Sequence, residues 1–255
     1  MPGAADGPPH RDDGGRRDDP TVPPTTGPDG ELLRTPPRGR REEILDGASE
    51  MFAEHGYHGS SLRDISAHIG ISHSGMLHHF ESKDVLLDRV IDRMEDHAQS
   101  ALERIDEFCG SREDLLRGLA EVWHPASLPI RLLATLDAES VSEDHPGRYR
   151  VARLRKVHEH MLETCFTGLA ERGPLREETD PAFAGRALLA VVLNLAVREK
   201  TVRHYRRPSR DDAPLADLAR QVDALLGTEV DRAEHGAQPS GREFPGPDRE
   251  GPRAI

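Results

Sequence analysis

From Ile44 onward, apolar residues recur at helical spacing; before it they are sparse. Ile44, Leu45, Ala48, Met51 and Phe52 make one face of a first helix, which Gly56 ends by taking the left-handed position after the last turn. A second helix starts at Ser60 or Ser61. Ser61 with Asp64 three residues later resembles a capping box, and Leu62, Ile65 and Ile69 form the apolar face before Gly70 stops it. Ser72 is placed to cap a third helix, with Ile71 and Met76 spaced as a hydrophobic staple. A fourth helix begins at Ser82 and is expected to run to about Phe108 on Leu86, Val90, Met94, Ala98, Ala101 and Ile105. Further helices follow at roughly 111–123, 129–142, 147–172, 180–204 and 214–227, separated by glycine and proline. The pattern contains no β-hairpin and no repeat, so the fold class is all-α.

The second and third helices are each about two turns long and joined by "IGIS". Helices this short are unstable alone, so neighbours must hold their apolar residues: Met76, Leu77 and Phe80 against Ile65, Ile69 and the first helix. The opposite side, with Ser72, His73, Ser74, Gly75 and His78, then faces outward. Two short helices joined by a glycine turn, the second with a small polar face, form a helix-turn-helix whose second helix fits a DNA major groove.

Composition divides the chain. Segments 1–37 and 228–255 hold much of the proline and glycine and little periodic apolar sequence, so both are expected to be disordered. Proline and aspartate stand where a signal peptide would need an apolar run, and "ALLAVVLNLAV" at 187–197 is too short to span a bilayer. Cys109 and Cys165 are the only cysteines and have no CxxC spacing, which argues against a disulfide framework. A cytoplasmic protein without membrane association is expected. The formal net charge of -12 runs against a broadly basic DNA-binding surface. From Arg38 to Asp84 there are five Lys/Arg against eight Asp/Glu, so phosphate contact must depend on few cations, hydroxyls and backbone amides.

The run "REEILDGASEMFAEHGYHGSSLRDISAHIGISHSGMLHHFESKDVLLDRVI" resembles the DNA-binding region of the TetR family of transcriptional regulators, matching in unbroken order over about fifty residues. The resemblance implies a three-helix DNA-binding head (38–84) and a larger helical domain (85–227) for small-molecule binding and dimerisation. It implies a homodimer on a near-palindromic double-stranded operator, an effector of unknown identity, and repression as the commoner mode. Carried over by motif, the DNA-facing positions are Ser61, Ser72, His73, Ser74, Gly75, Leu77, His78, His79 and Lys83. The family often has tyrosine where Leu77 or His78 stands and Lys or Arg near His73, so this chain lacks a phenol and a charge there. Ser61 and Ser72 open helices and can grip phosphate, Lys83 can reach the DNA backbone, and His73 and His78 can bond at base edges.

Trp123, Leu132, Leu136, Met161, Phe166 and Phe183 are candidate pocket residues in the larger domain. The resemblance pairs the last two helices across a dimer, and Ala184, Ala187, Leu188, Val191, Val192 and Leu195 form the broad apolar face that would do so. "RHYRRPSR" at 203–210 reads as a solvated loop. Fourteen histidines raise a metal sensor, but no HExxH and no paired Cys/His spacing occurs; scattered surface histidines are expected, with no metal and no cofactor. No GxSxG or phosphate-cradling glycine loop is present. A helical enzyme with a vestigial head, an interaction protein working through its tails, and an activator remain open at this point.

Overall fold

A computed structural model describes residues 39–173, 175–176, 179–201 and 213–226. The expected disordered segments, 1–37 and 228–255, and the basic run at 203–210 lie outside the described residues. The described helices are α1 (Arg40–His55), α2 (Leu62–His68), α3 (His73–His79), α4 (Lys83–Glu103), α5 (Arg112–Glu121), α6 (Leu128–Glu139), α7 (Arg148–Glu171), α8 (Pro181–Thr201) and α9 (Pro214–Leu225). A 3₁₀ turn, Ile105–Phe108, follows α4. An isolated antiparallel bridge links Leu175 to Leu226. The fold is all-α, a helix-turn-helix bundle at the N-terminal side and a larger helical body behind it.

The fourth helix ends sooner than its apolar pattern suggests. Arg104 adopts φ -104° and ψ 10°, and its N–H bonds back to the Ala101 carbonyl, three residues away. The chain thus tightens into the 3₁₀ turn, which keeps Phe108 buried.

In the head, Ile44, Ala48 and Phe52 of α1 are fully buried with Ile65 of α2, Met76 of α3 and Leu86, Val90 of α4; Phe80, just after α3, is nearly so. α1 meets the end of α2 at Gly47. A Cβ there would lie 2.1 Å from Ile69 Cγ2, so only glycine permits this approach. α4 continues from the head into the body, where Arg150 of α7 bridges Asp92 and Glu95 of α4, each at 2.7 Å.

Head and body are tied at the turn between α1 and α2. The Glu139 carboxylate, at the end of α6, accepts the N–H groups of Tyr57 (2.7 Å) and His58 (3.3 Å). Arg131 of α6 pairs with Glu54 of α1 at 2.7 Å, and the Thr135 hydroxyl donates to the Ala53 carbonyl at 3.1 Å.

The body packs α8 along α7 and α6. Gly185 lets the backbones meet: a Cβ there would lie 2.7 Å from the Glu163 nitrogen. Among the described residues, α8 is the helix long and apolar enough to cross a membrane, yet one whole side of it is buried in the bundle. That side corrects the expected dimer face. Ala184, Leu188, Val192 and Leu195 are buried within the subunit, while Ala187 and Val191 are half-buried at its edge. The outward stripe is Phe183, Ala187, Ala190, Asn194 and Val197, spaced alternately four and three residues apart. Phe183, expected in a pocket, is 56% exposed on this stripe. A helix apolar on nearly every side gives no periodic signal for which side turns inward.

Two histidines also depart from the expected surface positions. His145 and His158 are buried. His158 Nδ1 accepts the indole N–H of Trp123 at 3.2 Å, and burial lowers its pKa to about 4. Trp123, Leu132, Leu136, Met161 and Phe166 are all core residues.

Candidate nucleic-acid interface

The head presents α3 on a scaffold of local hydrogen bonds. Ser61 caps α2 in a complete capping box: its hydroxyl accepts from Asp64 N–H at 3.2 Å, and its own N–H donates to the Asp64 carboxylate at 3.1 Å. Gly70, at φ +71°, turns the chain, and Ile71 N–H bonds back to the Ser66 carbonyl at 2.9 Å. Ser72 caps α3 by accepting from Gly75 N–H at 3.0 Å, and its hydroxyl lies 3.1 Å from that of Ser74. Met76 and Phe80 anchor the helix from below.

This anchoring decides what faces out. Ser72, Ser74, Leu77 and His78 are exposed; His73, Gly75 and His79 are half-exposed. Leu77, which the apolar pattern sets against the core and the family motif sets toward DNA, is 43% exposed and lies on the outward side. The His73 ring is partly covered, and its Nδ1 is buried with no hydrogen-bond partner among the described residues. The rings of His78 and His79 meet edge to face at 5.5 Å.

Two of the candidate positions have other work. Lys83 donates from Nζ to the carbonyls of Tyr57 (2.8 Å) and Ser60 (2.9 Å) and lies 4.0 Å above the Tyr57 ring. It turns inward and fastens the α1–α2 turn to α4 rather than offering its charge to phosphate. Ser61 is exposed, but its hydroxyl also donates to the Asp64 carboxylate at 2.6 Å, so a negative charge already occupies the start of α2. Those bonds hold Asp64 below the usual carboxylate range.

Sequence reasoning missed Arg41. It donates to the His79 carbonyl at the end of α3 (3.3 Å) and lies 4.5 Å above the Phe80 ring. Its partner is 38 residues away, so no local pattern reveals the pairing. Arg41 and, on α2, Arg63 are both exposed.

The excess of acids falls elsewhere. Glu43 pairs with Arg40, Asp46 with Arg93, Glu50 with His68 and Glu54 with Arg131. Asp64 closes the capping box, and Asp84 accepts the Tyr57 hydroxyl. Six of the eight acids in the head thus have protein partners, and none of the eight lies within α3. A short, firmly held helix with hydroxyls, imidazoles and one apolar side chain outward, and no carboxylate of its own, is suited to reading base edges in a major groove.

Comparison with known proteins agrees with this class. Residues 44–90 match the family described as bacterial regulatory proteins, tetR family. The chain is 30% identical over 200 residues to the HTH-type transcriptional repressor AcnR of Corynebacterium diphtheriae, covering 77% of this chain and 82% of that one. It is also 30% identical over 166 residues to the HTH-type transcriptional repressor KstR2 of Rhodococcus jostii, covering 59% and 74%. The fold matches the crystal structure of the TetR family regulator PfmR from Thermus thermophilus with a TM-score of 0.55 and 24% identity, over 72% of this chain and 99% of the other. The chain belongs to the TetR family of transcriptional regulators. It is a DNA-binding regulator and not an enzyme.

Proposed function

We propose that the protein is a cytoplasmic homodimeric repressor that holds a near-palindromic operator and releases it on binding a small molecule. The observation that carries this reading is the outward side of α3, formed by Ser72, Ser74, Leu77 and His78 above a buried Met76. The hydroxyls and the imidazole bond at base edges, and Leu77 suits a thymine methyl group. His73, Gly75 and His79 flank the contact, with Arg41 and Arg63 reaching phosphate. Repression is supported by the likeness to AcnR and KstR2, both transcriptional repressors.

The outward stripe of α8 supports dimerisation. Phe183 and Val197 are 56% and 42% exposed at its two ends, and a second copy of the same stripe covers them in an isologous contact. DNA binding then requires the two α3 helices to stand about 34 Å apart, one turn of DNA, so the operator is near-palindromic. In each subunit, residues 38–84 form the head and 85–227 the effector and dimer domain, with both tails dispensable for DNA binding. The effector binds within that larger domain, whose core Trp123, Leu132, Leu136, Met161 and Phe166 fill. It releases DNA only to the extent that it binds the DNA-incompetent arrangement more tightly.

Selection of bound duplexes from a random pool by the purified full-length chain tests the reading. A near-palindromic site is expected, with a log–log salt slope well shallower than about -10, because few cations meet phosphate. A lone subunit without preference among duplex sequences would refute it. Loss of the gene should raise transcription beside the selected site; a fall would make the protein an activator.

A further inference from the structure

The only two cysteines of the chain stand 56 residues apart, yet the fold brings their sulfurs to 3.0 Å. Cys109 follows the 3₁₀ turn after α4, and Cys165 lies in α7. The approach depends on Gly168, one turn beyond Cys165. A Cβ there would lie 2.8 Å from the Cys109 carbonyl oxygen and 3.3 Å from Cys109 Cβ. Arg172 closes the junction by donating from Nη1 to the carbonyls of Gly168 (2.5 Å) and Cys109 (3.4 Å).

The two thiols differ in access. Cys165 is fully buried, whereas Cys109 retains 8% exposure and lines a surface cleft of about 410 Å³ with Asp106, His160, Thr164 and Arg172. They also differ in acidity. The adjoining Cys165 thiol, with help from the Arg172 charge, holds Cys109 below the usual thiol range, while the same contact and burial push Cys165 up. The thiol of the residue that lines the cleft, which also donates to the Ile105 carbonyl at 3.1 Å, is the better nucleophile, and the sulfur behind it is placed to resolve the product.

We propose that Cys109 and Cys165 form a reversible dithiol–disulfide site for small hydroperoxides entering this cleft. The Cys109 thiolate attacks one peroxide oxygen, the O–O bond breaks, and the departing oxygen takes a proton to leave as water or alcohol. The Cys109 sulfenic acid is then attacked by the Cys165 sulfur. The S–O bond breaks, and hydroxide leaves as water with the Cys165 proton. Two thiols lose two electrons, and one peroxide gains them. Sulfurs 3.0 Å apart must close by about one ångström to bond, which draws the 3₁₀ turn toward α7. α4 runs from Lys83 in the head to Glu103, just before that turn, so the displacement acts on the helix that carries the head. This last consequence, and it alone, rests on the operator reading given above.

The test treats reduced full-length protein with hydrogen peroxide and follows intact mass, thiol content and operator affinity. Wild type should lose both thiols together with the mass of two hydrogens in a single chain, reversed by a dithiol reductant. Cys165→Ser should stop at a Cys109 sulfenic acid that a 1,3-diketone traps, and Cys109→Ser should react about tenfold more slowly or less. Gly168→Ala separates the pair without removing a thiol and should slow both steps, the second more than the first. Operator affinity should shift about fivefold or more on oxidation of wild type and stay constant in the double serine variant. Thiols that persist under peroxide, or a disulfide found only between chains, overturn the site. A complete intrachain disulfide with unchanged operator affinity overturns its effect on DNA binding. Reduced protein that selects no DNA sequence removes the operator reading and leaves the thiol chemistry to be judged by mass alone.

Discussion

α3 has 7 residues, buries only Met76 and shows solvent its hydroxyls and imidazoles; α8 has 21, buries Ala184, Leu188, Val192 and others along one side, and still shows solvent Phe183 and Val197. Both are amphipathic in the sense that a neighbour holds one side, but the sides left over differ in kind. A polar remainder at the end of a tightly capped scaffold suits a hydrated, hydrogen-bonding partner. An apolar remainder along a long helix suits a partner that excludes water. The short helix therefore owes its order to the scaffold beneath it, and the long one has surface to share.

Substitutions separate these two designs, beginning with the core that underlies both. Trp123→Ala empties a fully buried site and removes the partner of His158, and it should lower unfolding free energy by about 3–5 kcal/mol, read from urea denaturation. DNA binding would be lost with the fold. Phe183→Glu places a charge on the outward stripe of α8 and should weaken self-association by about 2–4 kcal/mol, measured by sedimentation, while the subunit remains helical. An unchanged dimer would break the comparison at its apolar end.

Acid provides a third probe, confined to the body. His158 has a folded-state pKa of about 4 against about 6.5 in the unfolded chain, so below pH 6.5 the unfolded state binds a proton that the folded state refuses. Stability from this group is full above pH 6.5 and is lost as pH falls toward 4. About 2 kcal/mol should disappear between pH 7.5 and pH 5, and His158→Gln should flatten that dependence. The smallest effect belongs to the recognition surface. His78→Ala should leave the melting temperature unchanged and cost about 1 kcal/mol in operator affinity, seen in binding titrations. A matching loss of stability would mean that His78 supports the head rather than reads DNA.

What the sequence disclosed divides along the same line. The capping residues Ser61, Ser72 and Ser82, the glycine at position 70 and the apolar spacing of α1 to α4 act over three or four residues, so they are visible locally. Contacts between distant segments are not. Trp123 finds His158, Cys109 finds Cys165 and Arg41 finds the end of α3 across 35, 56 and 38 residues, with nothing nearby to announce them. Lys83 stands where a phosphate ligand is expected, but a pair of carbonyls presented by the turn at Tyr57–Ser60 captures it first. The orientation of α8 was hidden for a different reason: alanine, leucine and valine occupy nearly all of its circumference, so burial is decided by the fit of Gly185 against α7.

Glu139 has a mechanical consequence of its own. Its single carboxylate clasps consecutive amides at the bend that precedes α2, so the last turn of α6 grips the head by its neck. A body that swivels there tilts the reading helix as a rudder tilts with its tiller, and neither the effector nor its lining need touch the DNA-facing surface at all.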